Sequence, residues 1–147
     1  MGKRIWILSL SVLALLLVGA VSVSCASSAP PNDRPSQTAK QDGGYVNISS
    51  GELAGMLKSK DFYLVNVHIP YAGEIPGTDA KIAYDQIEGR TGELPKDKNA
   101  RIVLYCMSGN MSRTASETLV RLGYTNVFDL TGGMAAWEQA GFKLVKS

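Results

Sequence analysis

From residue 45 onward the apolar positions change rhythm repeatedly, and each change marks a predicted element. Ser49 precedes Glu52 by three, the spacing of a capping box, and Leu53, Met56 and Leu57 recur at helical intervals. A short helix is therefore predicted over 50–59. Phe62-Tyr-Leu-Val-Asn-Val67 is an apolar, β-rich run and the first clear strand. Pro70, Gly73, Pro76 and Gly77 make 68–78 a loop. Residues 81–84 read as a short strand, 85–93 as a segment holding a helical turn, and 94–99 as a polar turn. Arg101-Ile-Val-Leu-Tyr105 is a buried strand. A helix follows over Ser112–Leu122, with Ala115, Leu119 and Leu122 on one face and Gly123 as its stop signal. Asn126–Leu130 is another strand, Gly132-Gly133 a turn, and Met134–Ala140 a last helix ended by Gly141; residues 143–145 add an edge strand. Strands alternate with helices, which predicts an α/β domain with a mostly parallel central sheet and helices on both faces. Ligands of such sheets bind beyond the carboxyl ends of the strands, and Cys106 falls at one of those ends.

The first 44 residues follow other rules. Lys3 and Arg4 precede a long apolar run, and small residues lead to Cys25, the pattern of an export signal over 1–25. Val21-Ser-Val-Ser-Cys25 looks like a bacterial lipoprotein cleavage box, with Ser22 where that box usually has Leu; Cys25 would then carry a lipid anchor. Two alternatives stand beside it: ordinary cleavage near Ser24, or an uncleaved helix over 5–23, just long enough to span a bilayer. All three put the domain outside the cytoplasm, periplasmic or at the cell surface, because Lys3 and Arg4 favour the inner side. N-myristoylation is excluded, since Trp6 stands where Ser or Thr is wanted. Residues 26–44 are rich in Ser, Pro, Asn, Gln and Gly without apolar periodicity, and are read as a disordered tether. The folded domain is assigned to 45–147.

Composition narrows the chemistry. The chain has 147 residues and a formal net charge of +2, with no strongly basic face, so nucleic acid is not an implied partner. One histidine, His68, makes a metal site unexpected, since zinc wants several N or S ligands. There are two cysteines. If Cys25 is acylated or removed, Cys106 has no partner in the chain, and an exported protein with a leftover thiol points to a reactive group rather than a structural one.

The surroundings of that thiol supply a mechanism. Main-chain N–H groups of a tight loop and of a helix's first turn make an anion cradle. Gly109 lets the backbone curl, Ser108 and Ser112 add hydroxyls, Ser112 being also placed to cap the helix, and Arg113 brings positive charge to the helix start. A thiol so placed is expected to titrate below the free value of about 8.5 and to act as a nucleophile. Met107 and Met111 flank it and either form an apolar docking rim or pack inward. Tyr124 and Trp137 are expected in the core, Asp85 and Glu88 in solvent, and His68 in a structural role at the loop entry rather than as a base.

Ile102 to Gly141 resembles the C-terminal half of a single-domain rhodanese. The resemblance lies in Val103-Leu-Tyr-Cys106, Gly109, Ser112, Gly123-Tyr124, Val127 to Leu130 and Gly132-Gly133-Met-Ala-Ala-Trp137, and upstream in Leu64-Val-Asn-Val67 and Gly73-Glu-Ile-Pro-Gly77. It implies a rhodanese-like three-layer fold over 45–147 and a sulfurtransferase that carries sulfur as a Cys106 persulfide. Residues Met107, Ser108, Gly109, Asn110, Met111, Ser112 and Arg113 would surround the substrate. A small-molecule donor such as thiosulfate and a thiol or cyanide acceptor are implied, with no cofactor, in a monomer. Departures from the family pattern are Asn66 and His68 where Asp and Arg are usual, Glu74 for His, Met111 for Arg, Ser or Thr, and a shortened 70–73 loop. Other readings remain: a partner-binding module on the same fold, a redox-sensing thiol, or a phosphatase or arsenate reductase of related fold. The last needs Cys, five residues, then Arg; here Arg113 follows six.

Overall fold

The structure, a computed structural model, describes residues 43–146. The leader, Cys25 and all but the end of the tether lie outside the described residues. Among the described residues, β1 (Val46–Ile48), β2 (Tyr63–Asn66), β3 (Ala80–Lys81), β4 (Ile102–Tyr105) and β5 (Val127–Leu130) form one parallel sheet in the order β1-β5-β4-β2-β3. Three α-helices accompany it: α1 (Ser50–Leu57), α2 (Asn110–Arg121) and α3 (Gly133–Gln139).

The sheet is buried on both sides, which is why its central strands read as unbroken apolar runs. Successive strand residues point to opposite faces. Val65, Ile102, Leu104, Cys106 and Val127 share a core with Ala115 and Leu119 of α2. Leu64, Val103, Tyr105 and Leu130 share the opposite core with Leu53 of α1 and Met134 and Trp137 of α3. Helices thus cover both faces, as expected. Tyr124 and Trp137 are buried; the Tyr124 hydroxyl donates to Pro95 O at 3.1 Å, and Trp137 stacks on Phe142 at 4.4 Å.

The capping box is present: Glu52 N–H donates to Ser49 Oγ at 3.3 Å, and Ser49 N–H donates to Glu52 Oε2 at 2.7 Å. Other boundaries differ from expectation. β1 was not anticipated; its three residues directly follow the polar tether and derive their strand pairing from β5. β3 is Ala80–Lys81 rather than 81–84, although Ile82 and Tyr84 still donate to Asn66 O and Val67 O beyond the ladder. Residues 91–93 form a single 3₁₀ turn. The expected edge strand over 143–145 reduces to one antiparallel bridge between Val145 and Glu74.

Strand order positions the site. The chain leaving β2 continues toward β3, whereas the chain leaving β4 passes through α2 to β5 on the other side. The connections therefore part above β4 and β2, the usual place for a ligand crevice in an open α/β sheet. Cys106 is the first residue after β4.

Candidate active site: a thiol in a main-chain loop

Cys106 continues the alternation of Ile102 and Leu104, so its side chain enters the α2 face, where it is 1 % exposed. The loop then reverses onto it. Gly109 N–H donates to Cys106 Sγ at 3.1 Å, and the Ser112 hydroxyl lies 3.6 Å from the same sulfur. Gly109 has φ +94°, a left-handed conformation that L side chains rarely adopt, and is itself the residue preceding the first turn of α2. Here expectation is corrected: α2 starts at Asn110, not Ser112, because the left-handed Gly109 turns the chain into the helix. Ser112 is not a cap but sits in the first turn, fully buried, with its hydroxyl 3.3 Å from Gly109 O.

A feature that sequence reading missed holds the loop in place. The first N–H groups of a helix have no partners within it. In α3 they bond to the cysteine loop: Met134 N–H donates to Cys106 O at 2.8 Å and Ala135 N–H to Met107 O at 3.0 Å. The loop carbonyls thereby face α3, and the Gly109 N–H faces the sulfur. This approach is so close that a Cβ on Gly133 would lie 2.2 Å from Cys106 O. Gly132-Gly133 is thus the contact by which α3 docks on the nucleophile loop, and not only a turn.

The other expected site residues spread around this centre. Ser108 and Asn110 are exposed. Met107 and Met111 are half-buried and pack against opposite cores, Met107 on the α1/α3 side and Met111 on the α2 side. Arg113 is exposed on α2, and its positive charge acts on Asp129 and Tyr45. That leaves the sulfur's polar environment to the main chain and Ser112.

Beyond the ends of β2 and β3 lies a cleft of about 560 Å³ lined by Asn66, His68, Tyr71, Lys81, Asp85 and Arg90 among others. Several of its wall residues are held by partners at or behind the wall. The Asn66 amide donates to Gly73 O at 3.0 Å and accepts from His68 N–H at 3.0 Å, a double role that an aspartate could not fill. Arg90 grips Glu93 through two bonds of 2.6 and 2.7 Å, and Lys81 lies 3.3 Å from Glu74. His68 Nδ1 is buried without a hydrogen-bond partner, and burial pushes the imidazole pKa down, so the ring is neutral at pH 7. The Tyr105 hydroxyl accepts from Ile75 N–H at 3.0 Å and meets Thr78 Oγ1 at 2.6 Å, tying the 68–78 loop to β4; burial lifts this phenol to about 12.

A parallel α/β sheet with a thiol held by a loop N–H group at a strand's carboxyl end defines a cysteine-loop domain. Residues 57–140 match the Rhodanese-like domain family, and the chain belongs to that family. It is 34 % identical over 102 residues to a sulfurtransferase of Allochromatium vinosum, covering 67 % of this chain and 92 % of that protein. It is 29 % identical over 103 residues to the thiosulfate sulfurtransferase GlpE of Pseudoalteromonas translucida, covering 65 % and 91 %. The crystal structure of a rhodanese-like domain protein from Staphylococcus aureus superposes with a TM-score of 0.58 at 28 % identity, covering 69 % of this chain and 98 % of that one. A rhodanese-related protein from Thermoplasma volcanium gives 0.59 at 25 % identity, covering 67 % and 96 %. The fold expected from the sequence is therefore the one the chain has, and at family level its function is of the sulfurtransferase kind.

Proposed function

We propose that the chain moves sulfane sulfur from thiosulfate, or a donor of similar chemistry, to a thiophilic acceptor through a persulfide on Cys106. The observation that carries this reading is the 3.1 Å hydrogen bond from Gly109 N–H to Cys106 Sγ, made inside a loop whose carbonyls are occupied by α3. A sulfur anion in that position meets a main-chain donor at a helix N-terminus without rearrangement of charged side chains. In the first half-reaction the Cys106 thiolate attacks the outer sulfur of thiosulfate. The S–S bond of the donor breaks, its electron pair leaves with sulfite, and the persulfide anion remains on the chain. In the second, cyanide carbon or an acceptor thiolate attacks the outer persulfide sulfur, and the electron pair of that S–S bond returns to Cys106 as thiolate. Protons and electrons balance with no metal or organic cofactor. Because Cys106 is 1 % exposed, transfer requires local opening of the 106–111 loop, whose Ser108 and Asn110 already face solvent.

The test is steady-state kinetics with thiosulfate and cyanide. Sulfur that resides on the chain between half-reactions gives ping-pong, parallel-line behaviour, and Cys106→Ser removes the activity. Intersecting lines, or activity that survives Cys106→Ser, would contradict the reading. The leader supports a second part of the proposal, an exported domain held to a membrane through lipid on Cys25: labelled fatty acid should attach to the full chain in a bacterial host and disappear in Cys25→Ser. A mature N-terminus just after Cys25 without lipid would refute the anchor.

A further inference from the structure

The exposed apolar surface is gathered in one place. Among the described residues three large apolar side chains are exposed: Ile69 at 40 %, Tyr71 at 45 % and Val145 at 43 %. Single exposed apolar residues are ordinary, but a cluster of them marks a surface that something covers. Ile69 and Tyr71 belong to Ile69-Pro70-Tyr71-Ala72, four consecutive residues that all face solvent. A surface run of that length has no benefit to the free chain. Val145 joins it from the segment after α3: Glu74 N–H donates to Val145 O and Val145 N–H to Glu74 O, each at 2.8 Å.

The segment that carries this ridge is fixed to the strand before the thiol. The Asn66 amide holds Gly73 O, and Ile75 N–H donates to the Tyr105 hydroxyl. The Thr78 hydroxyl spends its one proton on Ile75 O at 2.7 Å, so the Tyr105 hydroxyl donates to Thr78 Oγ1 at 2.6 Å and closes a ring of bonds. A surface fixed in advance loses little freedom when a partner docks on it.

The run borders two hollows. Ile69 and Tyr71 line the cleft beyond β2 and β3. Ala72 lines a second groove, of about 540 Å³, which reaches the cysteine loop at Met107. Phe142 and Leu144 add to its apolar lining, and its charges are Lys143, Lys146 and Glu138. None of these three is in an ion pair among the described residues. The groove therefore offers two ammonium groups against one carboxylate.

The possible occupants make different demands. Thiosulfate and cyanide have no apolar surface to place on Ile69, Tyr71 or Val145. A second copy in a two-fold pair would set the same positive patch against itself. A lipid surface would make no use of a groove that reaches the cysteine loop. We propose that the ridge and groove dock a protein segment presenting a cysteine among apolar and acidic side chains, and that this cysteine accepts the sulfur from Cys106. Only the acceptor role rests on the persulfide reading. In the transfer the segment's thiolate attacks the outer sulfur of the Cys106 persulfide. The S–S bond breaks, its electron pair returns to Cys106, and the segment leaves as the persulfide, with no net oxidation.

The experiment uses the full chain and a synthetic peptide with one cysteine between leucine and phenylalanine, flanked by glutamates. Binding is read first, by fluorescence anisotropy of a labelled peptide with serine in place of the cysteine, so that no sulfur moves. The chain should bind it about tenfold more tightly than the same peptide with lysines for glutamates, and added salt should weaken it. Ile69→Ser should weaken binding about fivefold, and Lys143→Glu with Lys146→Glu about tenfold, with the preference turned toward the lysine peptide. Equal binding of the two peptides, no binding at millimolar peptide, or binding that neither variant moves would overturn the docking site. Self-association of the chain, or binding to phosphatidylglycerol vesicles, that Ile69→Ser abolishes would also overturn it, since the occupant would be a second copy or a lipid surface. Transfer is read second, as the ratio of kcat/KM for the cysteine peptide to that for cyanide, so that damage to the loop itself cancels. The ratio should fall about tenfold in the double lysine variant. An unchanged ratio would overturn the acceptor role. Failure of Cys106 to take sulfur, with binding as expected, would remove that role together with the persulfide reading and support the docking site alone.

Discussion

The two halves of the region above the sheet are built from different materials. Around Cys106 the contacts are main chain: Gly109 N–H on the sulfur, and the Cys106 and Met107 carbonyls under the first N–H groups of α3. Across the switch point, beyond β2 and β3, side chains make the contacts: Arg90 on Glu93, Lys81 by Glu74, and the Asn66 amide between Gly73 O and His68 N–H. Main-chain geometry depends on a few glycines and tolerates changes of side chain around it. This explains how the loop keeps its shape with Met111 where the family often places Arg, Ser or Thr. Side-chain geometry is free to vary, and this is where the chain departs most from the family pattern, at Asn66, His68 and Glu74.

The contrast is broken most directly at Gly133. A methyl group there would lie 2.2 Å from Cys106 O at a φ of +56°. Gly133→Ala should therefore destabilise the chain by about 3 kcal/mol or more in chemical denaturation and displace the nucleophile loop, with loss of sulfur transfer. A variant of native stability and activity would show that the α3 contact does not hold the loop.

A smaller effect, with a pH signature, is expected at Asp129. Its folded pKa of about 6 lies above the ordinary 3.8, so the folded chain binds this proton more tightly than the unfolded one. The associated stability is fully present below about pH 4 and is lost as pH rises through about 6. Asp129→Asn should consequently be more stable than the native chain by on the order of 2 kcal/mol at pH 8, and no more stable at pH 4. A stability difference independent of pH would place the carboxyl in solvent.

These two positions also mark what the sequence could and could not reveal. Hydrophobic spacing located α1, the central strands, α2 and α3, because each buries a periodic face. Cys106 stood out because a thiol at the end of an apolar strand, followed by a glycine loop and a helix, has a chemical reason to be there. The start of α2 was misplaced by two residues, since Ser112 had the chemistry of a cap while the left-handed Gly109 did the turning. β1 escaped notice because three residues carry little periodicity and their partner strand lies far along the chain. The tight contact of Gly133 with Cys106 O is a distance between segments and has no local signature. Asp129 did leave one: a carboxylate in phase with the buried residues of an apolar strand, which amounts to a charge at a core position.

The smallest effect should come from the side-chain region. His68 is neutral and lines the cleft, with its backbone N–H held by Asn66. His68→Ala should keep thiosulfate–cyanide activity within about threefold, under 1 kcal/mol of barrier. A hundredfold loss would make His68 part of the chemistry and erase the distinction between the two regions.

The central claim is that the main-chain loop holds sulfur on Cys106, and the mass of the intact chain after treatment with thiosulfate tests it most directly. The account predicts a gain of roughly 32 Da, one sulfur atom, that cyanide reverses and that Cys106→Ser abolishes. An unchanged mass, with Cys106 also inert toward alkylating reagents, would contradict it and leave the chain a rhodanese-fold module that binds a partner without transferring sulfur.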